Sequence, residues 1–239
     1  MKLIISDLHL TERHPATFEL FTKFIKEQAT QAESLYILGD LFDFWVGDDD
    51  LTSFNLKVIK LLQSLSQNCI PVFIMRGNRD FLIGSRFART CGAKLLHDPH
   101  VLQLDSKKLV LTHGDILCTD DRAYQRFRRV IQSKLMRLIA GILPLNWRRK
   151  IAIKLRQKTR KPGAEANYGD VNQTAVQAML AKYNCKLMIH GHTHRFAEHN
   201  YENGAKRYVL GDWHPGTGSF IAIEGDEINL NKMRGNPAC

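Results

Sequence analysis

Five short polar clusters carry side chains suited to divalent cations: Asp7-Leu-His9, Gly39-Asp40, Gly77-Asn78-Arg79-Asp80, His113-Gly114-Asp115 and Gly191-His192-Thr193-His194. Carboxylate, amide and imidazole donors without a thiolate suit cations that polarise phosphates better than a structural zinc. Asp7 and His9 are two apart, so on an extended chain their side chains point the same way. Gly39 lets the backbone turn tightly, so the Asp40 carboxylate can reach and bridge two cations. Asn78 adds an amide oxygen, His113 and His192 add imidazoles, and His194 lies two beyond His192. Seven donors with one shared give each of two cations four protein ligands. Cations ~3.5–4 Å apart bring a water between them near neutral pKa and clamp both the attacking and departing oxygens of a phosphoryl transfer. Any one cluster alone is commonplace, because Asp-x-His usually caps a turn. Five in order make the argument.

Each cluster follows an apolar run: Leu3-Ile4-Ile5, Leu35-Tyr36-Ile37-Leu38, Val72-Phe73-Ile74-Met75, Leu109-Val110-Leu111 and Leu187-Met188-Ile189. Such runs read as buried strands, and the carboxyl edge of an α/β sheet is where ligands bind. Between them, Ala16 to Ala29 and Leu56 to Leu65 have helical apolar spacing. After His194 come short strands at Tyr208–Leu210, Phe220–Ile223 and Ile228–Leu230. The pattern predicts two sheets face to face with helices outside.

One stretch breaks the alternation. From Phe127 through Ile131 to Ile142 the spacing predicts one continuous helix, ended by Leu143-Pro144-Leu145. A second helix starts near Trp147, and a third, from Asp170 to Ala181, returns to the last cluster. Of 34 Lys and Arg, 14 lie between Arg122 and Lys161, where there is no Asp or Glu. The other 20 face 24 acidic residues, so the formal charge of +10 belongs to this segment. The expected organisation is a core of residues 1–121 and 177–239 with a basic, amphipathic helical cap at 122–176.

With 239 residues, 44% hydrophobic, the chain can bury a full core. No apolar stretch nears the ~18 residues of a membrane span, and the first residues do not read as a signal peptide. Five scattered Cys without a Cys-x-x-Cys argue for a reducing compartment. His190 is expected to point away from the ligand pair. His14, His97, His100, His199 and His214 read as surface or turn residues. Asp43, Asp115 and Asp48 to Asp50 read as turn caps or as carboxylates orienting the histidines.

In its order of Asp-x-His, Gly-Asp, Gly-Asn, His and Gly-His-x-His, the chain resembles the calcineurin-like metallophosphoesterases. The resemblance implies an α/β fold, a four-layer α/β/β/α sandwich with a helical cap insertion. Asp7, His9, Asp40 and His194 would hold one metal, and Asp40, Asn78, His113 and His192 the other. Most of that superfamily has His after Gly-Asn as a general acid, and this chain has Arg79. A phosphate leaving from a pyrophosphate needs no proton, and a guanidinium can offset charge on phosphoryl oxygens.

Longer strings, among them Ile5–Leu10, Tyr36–Phe42, Gly77–Leu82 and Ile189–Arg195, resemble the UDP-2,3-diacylglucosamine pyrophosphohydrolases of lipid A biosynthesis, from Leu3 to about Trp213. That implies water attack on the uridine-side phosphorus, UMP and 2,3-diacylglucosamine 1-phosphate as products, and two Mn2+. It places Asn78 and Arg79 at the chemistry, and Asn78, Arg79, Asp121, Thr159 and His192 on the substrate. The family's Asn and Lys of the return segment have no counterpart in the rewritten 160–167 stretch. Phe81, Leu82, Phe127, Ile131, Ile151 and Leu155 are candidates for an acyl groove, or the cap positions form its own core. The basic cap would meet an anionic membrane surface, on the cytoplasmic face of the inner membrane, and no nucleic acid is expected. The alternative is another metallophosphoesterase acting on nucleotides or nucleic acid.

Overall fold

The computed structural model describes residues 1–159 and 170–235. Strand β1 (Lys2–Ile5), helix α1 (Pro15–Glu27), β2 (Ser34–Leu38), α2 (Ser53–Gln67), β3 (Val72–Met75), α3 (Ser85–Cys91) and β4 (Ala93–Leu95) form the first half. Strands β5 (His100–Gln103) and β6 (Lys108–Thr112) lead to the cap helices α4 (Arg122–Ile131), α5 (Lys134–Ile142) and α6 (Leu145–Thr159). Helix α7 (Gln173–Lys182) and strands β7 (Leu187–His190), β8 (Ala197–Asn200), β9 (Lys206–Val209), β10 (Thr217–Glu224) and β11 (Glu227–Arg234) complete the fold. The first sheet runs β11-β10-β1-β2-β3-β4 and the second β5-β6-β7-β9-β8. Strands β1 to β4 pair in parallel, as do β6, β7 and β9.

Strand alternation builds the layers. In β1, Leu3 and Ile5 face a core shared with Phe21, Phe24 and Leu62 of α1 and α2. Ile4 faces Leu111 and Ile189 of the opposite sheet. In the second sheet, Val110 and Met188 turn to Val176 and Leu180 on α7. Strands buried on both faces need apolar residues at every position, which is why the runs are continuous. The order is helix, sheet, sheet, helix.

The cap departs from expectation in two ways. The continuous helix expected to Ile142 is two helices, because the Ser133 hydroxyl accepts the Met136 N–H (3.2 Å) and starts a new one. Val171 and Val176, assigned to the cap by a boundary at 176, belong to the third core cluster, so the return helix is a layer of the sandwich.

Neither α4 nor α5 has a buried residue. A cap core of their own is therefore not what these helices form. Leu135, Leu138, Ile142 and Trp147 are 65%, 64%, 76% and 64% exposed. Among the described residues, ion pairs tie the cap to the core. Arg148 is bonded to Asp49 and to the Val46 carbonyl (2.7 Å), Arg149 to Asp50, and Arg128 to Asp115 (2.6 Å). Asp49, Asp50 and Asp115 thus bind arginines of the cap. Asp48 accepts the Gly84 and Phe87 N–H groups at the start of α3 (both 2.9 Å). His100 and His199 lie in strands rather than turns.

Candidate metal centre

The turns after β1, β2, β3, β6 and β7 meet at one end of the strands. Five residues there have left-handed backbone: Asp7 (φ 56°), His9 (47°), Asp40 (52°), His192 (66°) and His194 (57°). Such residues cost about 1 kcal/mol or more each and persist only where neighbours fix them. Here the neighbours are hydrogen bonds from Asp7 N–H to Gly39 O (3.2 Å), His9 N–H to Asp40 O (2.9 Å) and Trp213 N–H to Asp7 O (3.0 Å). Asp7 and His9 therefore do not lie on the extended chain that their spacing had suggested. Both are aimed by a turn, since β1 stops at Ile5.

Two glycines allow the turns to touch. A Cβ on Gly39 would lie 2.7 Å from Gly77 Cα, and one on Gly77 2.0 Å from Asp40 Oδ1. Asp80, given no role by sequence reasoning, locks this contact from a fully buried position. Its carboxylate accepts the N–H groups of Gly77 (2.7 Å), Leu41 (2.8 Å) and Asp40 (3.3 Å). The only sequence signal was an Asp three residues after the strand-end glycine, a turn-capping offset.

The seven donors form two adjoining groups. Asp7 Oδ2 accepts the Ser6 hydroxyl (2.6 Å) and the His192 N–H (2.8 Å), which leaves Oδ1 facing inward. There it stands 3.4 Å from His194 Nε2 and 3.9 Å from His9 Nε2, and those two nitrogens are 3.3 Å apart. In the other group Asn78 Oδ1 is 2.8 Å from His113 Nε2 and 3.0 Å from His192 Nδ1. Asp40 lies between, with Oδ1 3.8 Å from His113 Nε2 and Oδ2 3.8 Å from His9 Nδ1.

These contacts fit divalent cations. His113 Nδ1 lies 2.9 Å from the Leu38 carbonyl, which can only accept, so Nδ1 carries the hydrogen. In the neutral ring Nε2 is then a lone pair facing the lone pairs of Asn78 Oδ1. Asp7 Oδ1 and His9 Nδ1 are buried without a hydrogen-bond partner. Converging acceptors leave room for positive charge, and two ligands at right angles ~2.1 Å from one cation stand about 3.0 Å apart.

The electrostatics agree. Burial would raise the Asp7 carboxyl, but His194, His113 and His9 hold it well below the usual carboxylate range. Burial pushes Asp40 up to about 7, helped by the charges of Asp80 and Asp7. Burial opposes protonation of His113, yet Asp40, Asp7, Asp115 and Asp98 raise it to about 9. His192 is pushed down to about 3 by burial and by His113. Negative charge in excess draws a cation, and the His113 proton is its substitute.

Residues 3–196 match the family model described as calcineurin-like phosphoesterase. The chain belongs to that family. Within it, the UDP-2,3-diacylglucosamine hydrolase of Neisseria meningitidis serogroup A is 47% identical over 226 residues, 93% of either chain. That of Coxiella burnetii is 47% identical over 229 residues, covering 94% of this chain and 93% of its own. That of Edwardsiella ictaluri is 44% identical over 242 residues, 99% of this chain and 93% of its own.

Other expected residues of this calcineurin-like phosphoesterase lie around the donors. Arg79 is partly exposed, with Nη1 3.0 Å from Asp43 Oδ1 and Nε 3.8 Å from Asp40 Oδ2. Asp43 is therefore a partner of Arg79. Asp121 caps α4, accepting the Tyr124 N–H (2.8 Å). Thr159 ends α6, and its side chain lies outside the described residues, as does the 160–167 segment. Of the apolar candidates, Phe127, Ile151 and Leu155 are exposed, Phe81 and Ile131 half-buried, and Leu82 packs against the first core. The ring of Tyr124, which sequence reasoning passed over, stacks against His192 with centroids 6.1 Å apart and planes inclined by 25°. A cleft of about 720 Å³ lined by Lys107, Lys108 and Lys186 opens at the other end of the strands, away from these donors.

Proposed function

We propose that this calcineurin-like phosphoesterase hydrolyses the pyrophosphate bond of UDP-2,3-diacylglucosamine to UMP and 2,3-diacylglucosamine 1-phosphate, a step of lipid A biosynthesis. What carries the reading is sequence identity sustained along nearly the whole length of hydrolases named for that substrate. Asp7, His9, Asp40 and His194 would hold one divalent cation and Asp40, Asn78, His113 and His192 the other, with Mn2+ the first choice for both. Such a pair acidifies a water and neutralises phosphoryl charge.

The protein side chains do the rest. Water attacks the phosphorus nearer uridine, so one P–O bond forms and the bridging P–O bond to the sugar phosphate breaks. The leaving phosphate departs without a proton, so no general acid is required of the residue after Asn78. Arg79 instead forks onto phosphoryl oxygens, with Asp43 holding its guanidinium in place. Asn78 and His192 border the same phosphate, and Asp121 and Thr159 contact the nucleotide or sugar beyond it.

Arg79→Ala is expected to lower kcat by about 10²-fold with bound Mn2+ unchanged, as read by metal analysis beside steady-state kinetics. Loss of metal in that variant would move Arg79 from the substrate to the metal shell.

The cap, residues 122–176 less the core-packed return, takes the acyl chains and rests on an anionic membrane face, the cytoplasmic side of the inner membrane. Support comes from its 14 basic residues, of which Arg128, Arg148 and Arg149 are paired with core aspartates, and from its exposed apolar side chains. Among the described residues no helix is long and apolar enough to cross a membrane. Replacing Ile142 and Trp147 together with Glu should leave stability within ~0.5 kcal/mol, as for other exposed sites. The KM for the diacylated substrate should rise at least tenfold, and an unchanged KM would take these residues out of lipid contact.

Product analysis with purified protein, Mn2+ and UDP-2,3-diacylglucosamine in 18O-water tests the whole reading. The label is expected in UMP. Label in the sugar phosphate would reverse the direction of attack. Faster cleavage of nucleic acid than of the acylated UDP-sugar would replace the substrate altogether.

A further inference from the structure

Two arginines that touch no candidate ligand anchor the two ends of the cap insertion, Arg128 on α4 and Arg207 through Asp170 of the return, to the turns beside two such ligands. Arg207, on β9, is fully buried. Its guanidinium grips Asp170, where the chain returns from the cap, through Nη1–Oδ1 (2.9 Å) and Nη2–Oδ2 (2.7 Å). Nη1 also lies 3.2 Å from His190 Nε2, and His190 Nδ1 lies 2.8 Å from the Gly191 carbonyl. That carbonyl only accepts, so Nδ1 carries the hydrogen and Nε2 accepts from Arg207. His190 is wedged between the two histidine turns. A Cβ on Gly114 would lie 2.9 Å from its Nδ1, and Gly191 N–H donates to His113 O (3.0 Å).

The other end of the cap repeats the arrangement. Arg128 Nε donates to Asp115 Oδ2 (2.6 Å), two residues beyond His113, and Arg128 Nη2 lies 3.5 Å from Asp98. Tyr124 donates its hydroxyl to the same Asp115 oxygen (3.1 Å), and Gln125 donates to the Asp115 carbonyl (2.7 Å). One tether thus ends beside His113 and the other beside His192. Both histidines face Asn78. Asp7 is reached at one remove, through the His192 N–H (2.8 Å), and among the contacts described His9 and His194 have no direct link of this kind to the cap.

We propose that Arg128 and Arg207 are positioning residues through which the docked cap sets the His113, His192 and Asn78 donors, so that docking and occupancy of that one cation subsite are linked. Outer partners of this kind commonly change metal affinity by 10–100-fold, and linkage requires the effect to run both ways. A loosened tether should weaken the cation held by His113 and His192 and spare the one held by Asp7, His9 and His194. Cation binding should in return protect the backbone of α4.

The inference rests on the two-cation reading, and a Mn2+ titration by calorimetry separates the two. Wild-type protein binding fewer than two Mn2+ would defeat the two-cation reading. Given two sites, His113→Ala identifies which of them belongs to the Asn78 group. Arg128→Met and Arg207→Met are then expected to weaken that site at least tenfold and leave the other within twofold. In wild type, Mn2+ should slow hydrogen exchange at residues 122–131, and in Arg128→Met it should not. Should Arg207→Met fail to fold, Asp170→Asn, which leaves the guanidinium facing His190, carries the same expectation. Equal weakening of both sites, or of neither, with exchange in α4 indifferent to Mn2+, would make both arginines merely structural and overturn the proposal.

Discussion

Asp40→Asn is expected to reduce turnover by about 10³-fold or more while making the metal-free protein more stable at pH 8. The two effects have one cause. Asp40 is the residue placed between the two donor groups, each of its oxygens 3.8 Å from a histidine of a different group. The asparagine keeps an oxygen to accept the Arg79 N–H, a bond of 2.9 Å, so the turn should survive. It loses the charge and the second acceptor, and with them the bridge. As for stability, burial and the nearby Asp80 and Asp7 raise this carboxyl to about 7, above its unfolded value of ~3.9. An acid whose pKa rises on folding binds its proton more tightly in the folded state. Its ionisation therefore opposes folding progressively from about pH 4 to about pH 7, and the penalty is complete at pH 8. Removing the charge removes it, an instance of function held against stability. Denaturant titration with chelator at pH 8, beside turnover with Mn2+, reads both effects. A less stable, metal-free Asp40→Asn would show that the carboxylate is compensated by groups other than those described.

Gly77→Ala is expected to cost about 2–3 kcal/mol by overpacking and to abolish most activity. The added Cβ would stand 2.0 Å from Asp40 Oδ1 and 2.4 Å from Asp40 N. Neither atom can retreat easily, because Asp80 binds the Asp40 backbone on one side and Gly39 is packed against Gly77 on the other. Gly141 on α5 is the natural control, since a Cβ there meets nothing within 4 Å. Alanine at that position should stabilise by up to ~1 kcal/mol through helix propensity. Paired urea titrations would reveal the contrast. If both variants unfolded at the wild-type midpoint, the close contact between the β2 and β3 turns could not be as described.

Much of this organisation was legible in the order of the residues. Doubly buried strands require unbroken apolar runs, so Leu3–Ile5, Leu35–Leu38, Val72–Met75, Leu109–Leu111 and Leu187–Ile189 announced themselves. The polar residues that follow them could only sit where the strands stop. The cap was visible as a block of 14 basic residues without an acid, because a composition shift needs no tertiary contact to be seen. Short or weakly patterned elements were not legible. Strands β4, β5 and β8 and helix α3 are short and, unlike the equally short β1, β3 and β7, carry no unbroken apolar run.

Residue order alone also determined which side chains could act as donors, and that the cap was separate in composition. Only the folded chain decided how they are aimed. The left-handed turns at Asp7, His9, Asp40, His192 and His194 depend on hydrogen bonds between strands 30 or more residues apart, which no local preference encodes. The same is true of the partners of Asp43, Asp80, Asp115 and Asp170. A carboxylate looks alike in sequence whether it caps a turn, holds an arginine or binds an ion, and only the groups brought against it by packing tell these apart.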